Sequence, residues 1–206
     1  MAHITPSKAP VLPLVGPEYS PEYFDHLLNY LKLYFDKIDL NNRNLLGVRG
    51  GQYLTFPIGS FSSTANQTPS TINTPKRIEF NRIEFESGMN YDAGTGIYVD
   101  QSGVYNYTSS VQLVNADTSN HTAYLWLRVN GTDVGWSTRR YDVGLSGGEL
   151  AEMVAVVELE TDDYVELWWA TDSTDVSLEA LAADAGGYDR PGKPSVVSTL
   201  TFVSGH

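Results

Sequence analysis

The sequence predicts a mainly β chain, an antiparallel jelly-roll sandwich preceded by an extended N-terminal arm and one α-helix. Three observations carry that expectation. Between Gly103 and Leu113 the residues Tyr105, Tyr107, Ser109, Val111 and Leu113 alternate with Asn106, Thr108, Ser110 and Gln112, the signature of a strand with one buried and one wet face. Between Ala123 and Val129 the residues Ala123, Leu125, Leu127 and Val129 alternate with Tyr124, Trp126 and Arg128, and the run ends on Asn130-Gly131, a pair suited to a type I′ hairpin. These two segments read as the central strands of the body. Beyond Gly88 further short strands recur at the spacing of a two-sheet sandwich: Gly96–Val99, Val134–Thr138, Leu150–Leu159, Tyr164–Ala170, Val176–Ala180 and Ser195–Val203. Turn signals separate them at Ser102-Gly103, Gly147-Gly148, Thr161-Asp162-Asp163 and Gly186-Gly187.

Taken in order, residues 1–20 hold Pro6, Pro10, Pro13 and Pro17, which exclude a helix and predict an extended anchoring arm. Ser20 followed by Pro21 then reads as an N-cap with proline at the first helical position. The helix is predicted over 21 to about 40, with Asn41-Asn42 closing the segment 21–42. Phe24, Leu31 and Ile38 fall at one core position of a heptad and Leu27 and Tyr34 at the other, with Leu28 and Phe35 widening the stripe. A helix of this length is marginal alone, so the stripe needs a cover: copies of itself, its own body or a larger assembly. Residues 43–75 turn to Gly, Ser, Thr, Asn and Gln and read as a linker with a first extended segment, Tyr53, Thr55 and Ile58 forming a possible first strand. The body is set at 76–206, with 52 as its earliest start. At its beginning Arg-Ile-Glu-Phe occurs twice, at Arg77–Phe80 and Arg82–Phe85. The odd offset of five puts the two copies on opposite faces, which calls for a bulge or for cover on both sides.

A net charge of −12 argues against a nucleic-acid partner, because phosphate backbones are bound by clustered Lys and Arg. The absence of cysteine removes disulfides, thiol chemistry and thiolate metal sites. No apolar run reaches the length of a membrane span and no signal peptide opens the chain, so membrane insertion is not expected and synthesis is expected in a cytoplasm. The sequons at Asn66, Asn106, Asn120 and Asn130 accordingly carry little weight.

The sequence offers little catalytic chemistry. His3, His26, His121 and His206 are too scattered to pair with one another or with a nucleophile. Asp172, Asp175 and Glu179 cluster, as do Asp162 and Asp163, the latter pair being more simply a turn. The loop Ala170–Asp175 is rich in oxygen ligands but lacks the periodicity of a calcium loop. Trp126, Trp136, Trp168 and Trp169 are expected mostly in core or subunit contacts, with stacking on sugars as the functional alternative. No catalytic residue, metal site or cofactor is expected.

Several segments carry a resemblance: Gly103-Val104-Tyr105, Trp126–Gly131, Val156–Leu167 and the closing Pro194–Thr201. Together they resemble the complement-head and tumour-necrosis-factor-like jelly roll, and more closely the form found in virion proteins of tailed bacteriophages, particularly marine ones. The resemblance covers about 52 to 206. The arm and the helix segment Tyr23–Phe35 are also similar to the start of such proteins, while the glycine usual before the aspartate of the Thr161-Asp162-Asp163 turn is missing. The resemblance implies a homotrimer on a phage particle, with residues 1–42 gripping other virion proteins and the jelly roll projecting outward. Capsid decoration and tail-fibre receptor binding, the latter directed at a host surface glycan or protein, are both compatible with it. A carbohydrate-active enzyme and a free ligand-binding module are the alternatives.

Overall fold

Alternation along the chain builds two antiparallel sheets around one core. The computed structural model describes residues 8–12, 20–46, 56–184 and 186–205. It divides into two units, Met1–Thr55 and Phe56–His206. The first contains α1 (Pro21–Leu46), and residues 8–12 before it have no regular secondary structure. The rest of the arm, Tyr53 and Thr55 of the predicted first strand, His3 and His206 lie outside the described residues.

The second unit begins with β1 (Ile58–Ser63), β2 (Lys76–Arg77), β3 (Arg82–Ser87), β4 (Met89–Asp92) and β5 (Gly96–Val99). It continues with β6 (Gly103–Asn115), β7 (His121–Val129), β8 (Thr132–Asp133), β9 (Arg139–Val143) and β10 (Gly148–Leu159). The last strands are β11 (Tyr164–Thr171), β12 (Val176–Leu178) and β13 (Val196–Ser204). Sheet one runs β10-β6-β13-β1-β3, with β12 beside the end of β6. Sheet two runs β4-β5-β11-β7, with β8 and β9 both on the free edge of β7 and β2 sharing an edge of β11. From β5 onward five of the eight connections pass between the sheets, which is the winding of a jelly roll.

The two strands that the alternation marks as central lie in different sheets, each paired along both edges. On β6 the residues Tyr105, Tyr107, Val111 and Leu113 are buried, and on β7 Ala123, Leu125 and Leu127. Met153, Leu159 and Leu200 complete sheet one's inner face, while Ile97, Val165, Leu167 and Trp169 complete that of sheet two. Close approach fixes the start of β6: a Cβ on Gly103 would lie 2.5 Å from the Phe202 ring and 2.6 Å from the Ser204 carbonyl oxygen.

Several boundaries differ from the expectation, each for a local reason. Helix α1 runs through Asn41-Asn42 to Leu46, because neither asparagine is followed by a glycine or proline that would stop it. The Arg-Ile-Glu-Phe copies belong to different sheets. Arg77 pairs with Trp168 on β11, and Ile78 and Phe80 turn into the core. The second copy is β3, paired with β1 through an irregularity at Ser60/Phe61, and its Ile83 and Phe85 are exposed. Val134–Thr138 is a turn and not a strand, since Trp136 takes a left-handed φ of 63°. The strand lies just after it, on the charged segment Arg139–Val143, which hydrophobic alternation does not reveal. The Asn130-Gly131 turn has φ values of 52° and 74°, as a type I′ hairpin requires. In the next turn Asp162 reaches φ 69° without glycine, and the Asp163 carboxylate accepts from the Glu160 amide (2.8 Å) and the Asn130 side chain (2.6 Å).

Polar groups inside the core form a closed chain. The Tyr107 hydroxyl lies 2.9 Å from Ser198 Oγ, Ser198 Oγ donates to Ser109 Oγ (2.9 Å), and Ser109 Oγ donates to the Val197 carbonyl (3.1 Å). Burial pushes the Tyr107 phenol up from 10.0 to about 12. Below pH 10 it is neutral in folded and unfolded chains alike; between 10 and 12 only the unfolded chain loses the proton, so its contribution disappears as pH rises through that window. Urea unfolding at about pH 9 and pH 12 is expected to show wild type losing roughly 2–3 kcal/mol more than Tyr107→Phe. Equal losses in the two proteins would remove this hydroxyl from the alkaline transition.

Candidate functional site

The helix carries the first candidate surface. Ser20 Oγ accepts from the Tyr23 amide (3.4 Å), Pro21 opens the first turn, and Arg43 lies in the last. Leu27, Leu31, Tyr34, Ile38 and Asn41 are half-buried at alternating steps of four and three and lie along one stripe. Phe24 and Leu45 extend it at the two ends, both exposed. Beside it Leu28, Phe35 and Leu40 are each more than half exposed.

The outer face of sheet one is the second. On β10 apolar residues occupy both parities: Ala151, Met153 and Leu159 point into the core, while Leu150, Val154 and Val156 point out, Val156 being 67% exposed. Across the strands the outward row continues from Val154 to Thr108 and Thr199, and from Glu152 to Ser110 and Val197. A single-sided antiparallel sheet would alternate apolar with polar here. The sequence signal was present in Ala151-Glu152-Met153-Val154-Ala155-Val156, whose apolar residues do not keep to one parity.

The polar constellations resolve into turns and latches. His121 lies between two carboxylates: Nε2 is 2.8 Å from Asp117 Oδ2 and Nδ1 is 3.1 Å from Asp172 Oδ1. Asp172 also accepts from the Thr122 amide, while Glu179 accepts from Lys193 Nζ (2.9 Å). Asp175 donates its amide to Ser173 Oγ (3.1 Å) within the Ala170–Asp175 loop. Among the described residues no group of three or more His, Asp or Glu is placed to hold a metal ion. The sequence cluster Asp172, Asp175 and Glu179 therefore divides among separate hydrogen-bonded structures. Buried Asn115 latches the same end, its side-chain amide donating to the carbonyls of Ser119 (2.7 Å), Val143 (3.3 Å) and Gly144 (3.1 Å).

The tryptophans fall on the outer face of sheet two more than in the core. Trp169 alone is fully buried. Trp168 faces out beneath Arg128, whose guanidinium carbon is 3.8 Å from the ring centroid, and Trp126 pairs with it across the sheet. Trp136 is fully exposed.

Neither a protein-family profile nor a curated protein sequence matches this chain. Among solved structures, the globular domain of zebrafish complement 1qA protein aligns with a TM-score of 0.47 and 15% identity, covering 74% of this chain and 100% of that one. The jelly roll itself rests on the strand order given above.

The His121 hydrogen bonds set a pH window. The bond to Asp117 raises the imidazole above 6.5 and holds the Asp117 carboxyl below 3.8. The histidine's contribution is full below 6.5 and lost as pH rises through its folded value; that of Asp117 is full above 3.8 and lost as pH falls. The loop is therefore held best between those values. NMR titration is expected to place the His121 midpoint above 6.5, falling in Asp117→Asn; a midpoint unmoved by that change would mean the contact is not formed in solution.

Proposed function

We propose that this protein is a non-enzymatic structural module, a homotrimer fastened to a larger particle by its N-terminal arm and helix, with the jelly roll projecting from it. The observation that carries the reading is the apolar stripe of α1, a 26-residue helix whose Leu27, Leu31, Tyr34 and Ile38 lie at heptad spacing with large apolar neighbours left in water. The two-sided apolar strand β10 supports it from the other unit, since Val154 and Val156 gain by a second copy covering them. The number three comes from the resemblance to complement-head and tumour-necrosis-factor-like jelly rolls.

On the likeness of residues 52–206 and of the helix segment to virion proteins of tailed bacteriophages, the particle is a phage made in its host's cytoplasm. Capsid decoration and tail attachment differ in what residues 1–42 grip. The short connection between helix and body favours a compact knob over a long shaft. No described helix is long and apolar enough to cross a membrane.

Light scattering of the full chain is expected to give the mass of three copies. Leu31→Asp places a charge in the apolar seam and is expected to shift the population toward monomer, with the β body's near-ultraviolet spectrum intact. A monomeric wild type, or a variant trimer as stable as wild type, would remove the helix from assembly. For the particle, immunogold labelling with antibody against the β body is expected to decorate phage heads or tails. Gold on neither structure would overturn the virion assignment while leaving the oligomer untouched.

A further inference from the structure

Two of the cavities on the sandwich differ in whether their polar groups already have partners. The larger, about 710 Å³, lies between the β3 edge and the loop that precedes β13. There Ser62 Oγ donates to Glu84 Oε1 (2.7 Å), Arg82 to Glu84 Oε2 (3.2 Å) and Lys193 to Glu179 (2.9 Å). Its charges satisfy one another. The smaller, about 360 Å³, opens on the outer face of sheet two and is built differently.

Tyr124 and Trp126, neighbours on the outward side of β7, give it an aromatic wall, extended by Val134. Asn73, Asp133 and Thr138 ring that wall. Asp133 Oδ1 accepts from Trp126 Nε1 (2.7 Å) and Arg128 Nε (2.6 Å), which fixes both the indole and the carboxylate. The second carboxylate oxygen, the Asn73 amide, the Thr138 hydroxyl and the Tyr124 hydroxyl have no hydrogen-bond partner among the described residues. A groove with an apolar wall and several converging, unpartnered donors and acceptors is the form that small-ligand sites take.

The rim adds an independent observation. Asn73 and Trp136 both hold left-handed backbone, with φ of 53° and 63°, which asparagine tolerates and a bulky indole adopts only at a cost. Trp136 is held in it from both sides. Ser137 Oγ donates to the Val134 carbonyl (2.8 Å) and accepts from the Leu127 amide (3.1 Å), while Arg139 Nη1 donates to the carbonyls of Trp136 (3.4 Å), Ser137 (3.3 Å) and Thr138 (3.2 Å). The turn is fixed while its indole is fully exposed, between two residues that line the groove.

We infer that this groove binds one neutral pyranose residue of a glycan, with Trp136 contacting the next residue along. A pyranose offers a C–H face that packs on an aromatic ring and a girdle of hydroxyls that can both donate and accept. Those hydroxyls match the carboxylate oxygen, the amide and the two protein hydroxyls. The cavity sits at the small end of the range for ligand pockets, which suits a single sugar ring. The Asp133 carboxylate and a net charge of −12 disfavour acidic sugars and phosphates. The site lies within one chain, so it stands apart from the trimer reading.

The test begins with the fluorescently labelled full chain on a glycan microarray of neutral and acidic saccharides. Neutral glycans are expected to be retained and acidic ones not. The retained glycan is then titrated into isotope-labelled protein, following the indole N–H signals of the four tryptophans. Those of Trp126 and Trp136 are expected to shift and that of buried Trp169 to stay. Tyr124→Ala and Trp136→Ala are each expected to weaken binding about tenfold or more with an unchanged circular dichroism spectrum. Tyr124→Phe, which keeps the ring, is expected to lose less. Retention of no glycan, or of acidic ones only, overturns the ligand class, and a protein ligand retained in their place does the same. Affinity unchanged in Trp136→Ala and Tyr124→Ala overturns the site. A monomer that still binds would sink the trimer reading alone, and a trimer that binds no glycan would sink this one alone.

Discussion

The register of β6 against β13 is the constraint on which the body depends. Ser109 stands opposite Ser198 and Tyr107 opposite Leu200, and in that register alone do the three hydroxyls close their chain onto the Val197 carbonyl. Buried hydroxyls without partners are costly, so a slip of one residue would turn Tyr107 outward and strand the serines. Because β6 also pairs with β10 along its whole length and with β12 at its end, fixing β6 fixes sheet one. Sheet two then has one apolar surface to pack against. No disulfide assists, since the chain has no cysteine.

The sequence disclosed this body wherever one residue in two was apolar. Gly103–Leu113 and Ala123–Val129 bury the parity that their alternation indicates. It was silent where pairing rather than burial makes the strand. Arg139–Val143 is an edge strand bearing two arginines and an aspartate, and its hydrogen bonds to β7 leave no hydrophobic trace. The repeated Arg-Ile-Glu-Phe misleads for a related reason: identical tetrads were placed in different sheets by the irregular stretch 78–81 between β2 and β3, which local pattern does not encode. The helix was legible in type, but its far end was not, because asparagine ends a helix only when the residues after it allow a left-handed stop.

The groove was less legible than the fold. Trp126 and Trp136 were visible as tryptophans, yet core packing was the expected fate of most, and only Trp169 meets it fully. What separates them is parity and backbone. Trp126 shares its face with Tyr124 and Arg128, so the alternation already set it outward. Nothing in Val134-Gly135-Trp136 announces that the glycine would keep ordinary backbone while the tryptophan takes the left-handed turn. Asn73 comes from a loop some fifty residues earlier in the chain, brought in by its amide bond to the Thr171 carbonyl (2.7 Å).

The two outer faces of the sandwich have opposite chemistry. Sheet one presents Val154, Val156, Val197 and short hydroxyl side chains, with the Glu152 carboxylate among them, around an open depression of about 560 Å³. Sheet two presents aromatic rings among arginines, carboxylates and amides, a surface that another copy could cover only by desolvating its charges. Self-association on the first face therefore leaves the second open, because packed sheets turn their outer faces away from each other. Three copies joined in this way would carry three grooves. A weak single-site affinity for a surface glycan then becomes a strong collective one, provided that the spacing of the sugars permits simultaneous contact. On this physics a shallow groove is sufficient, because a trimer would supply the avidity that one sugar ring cannot.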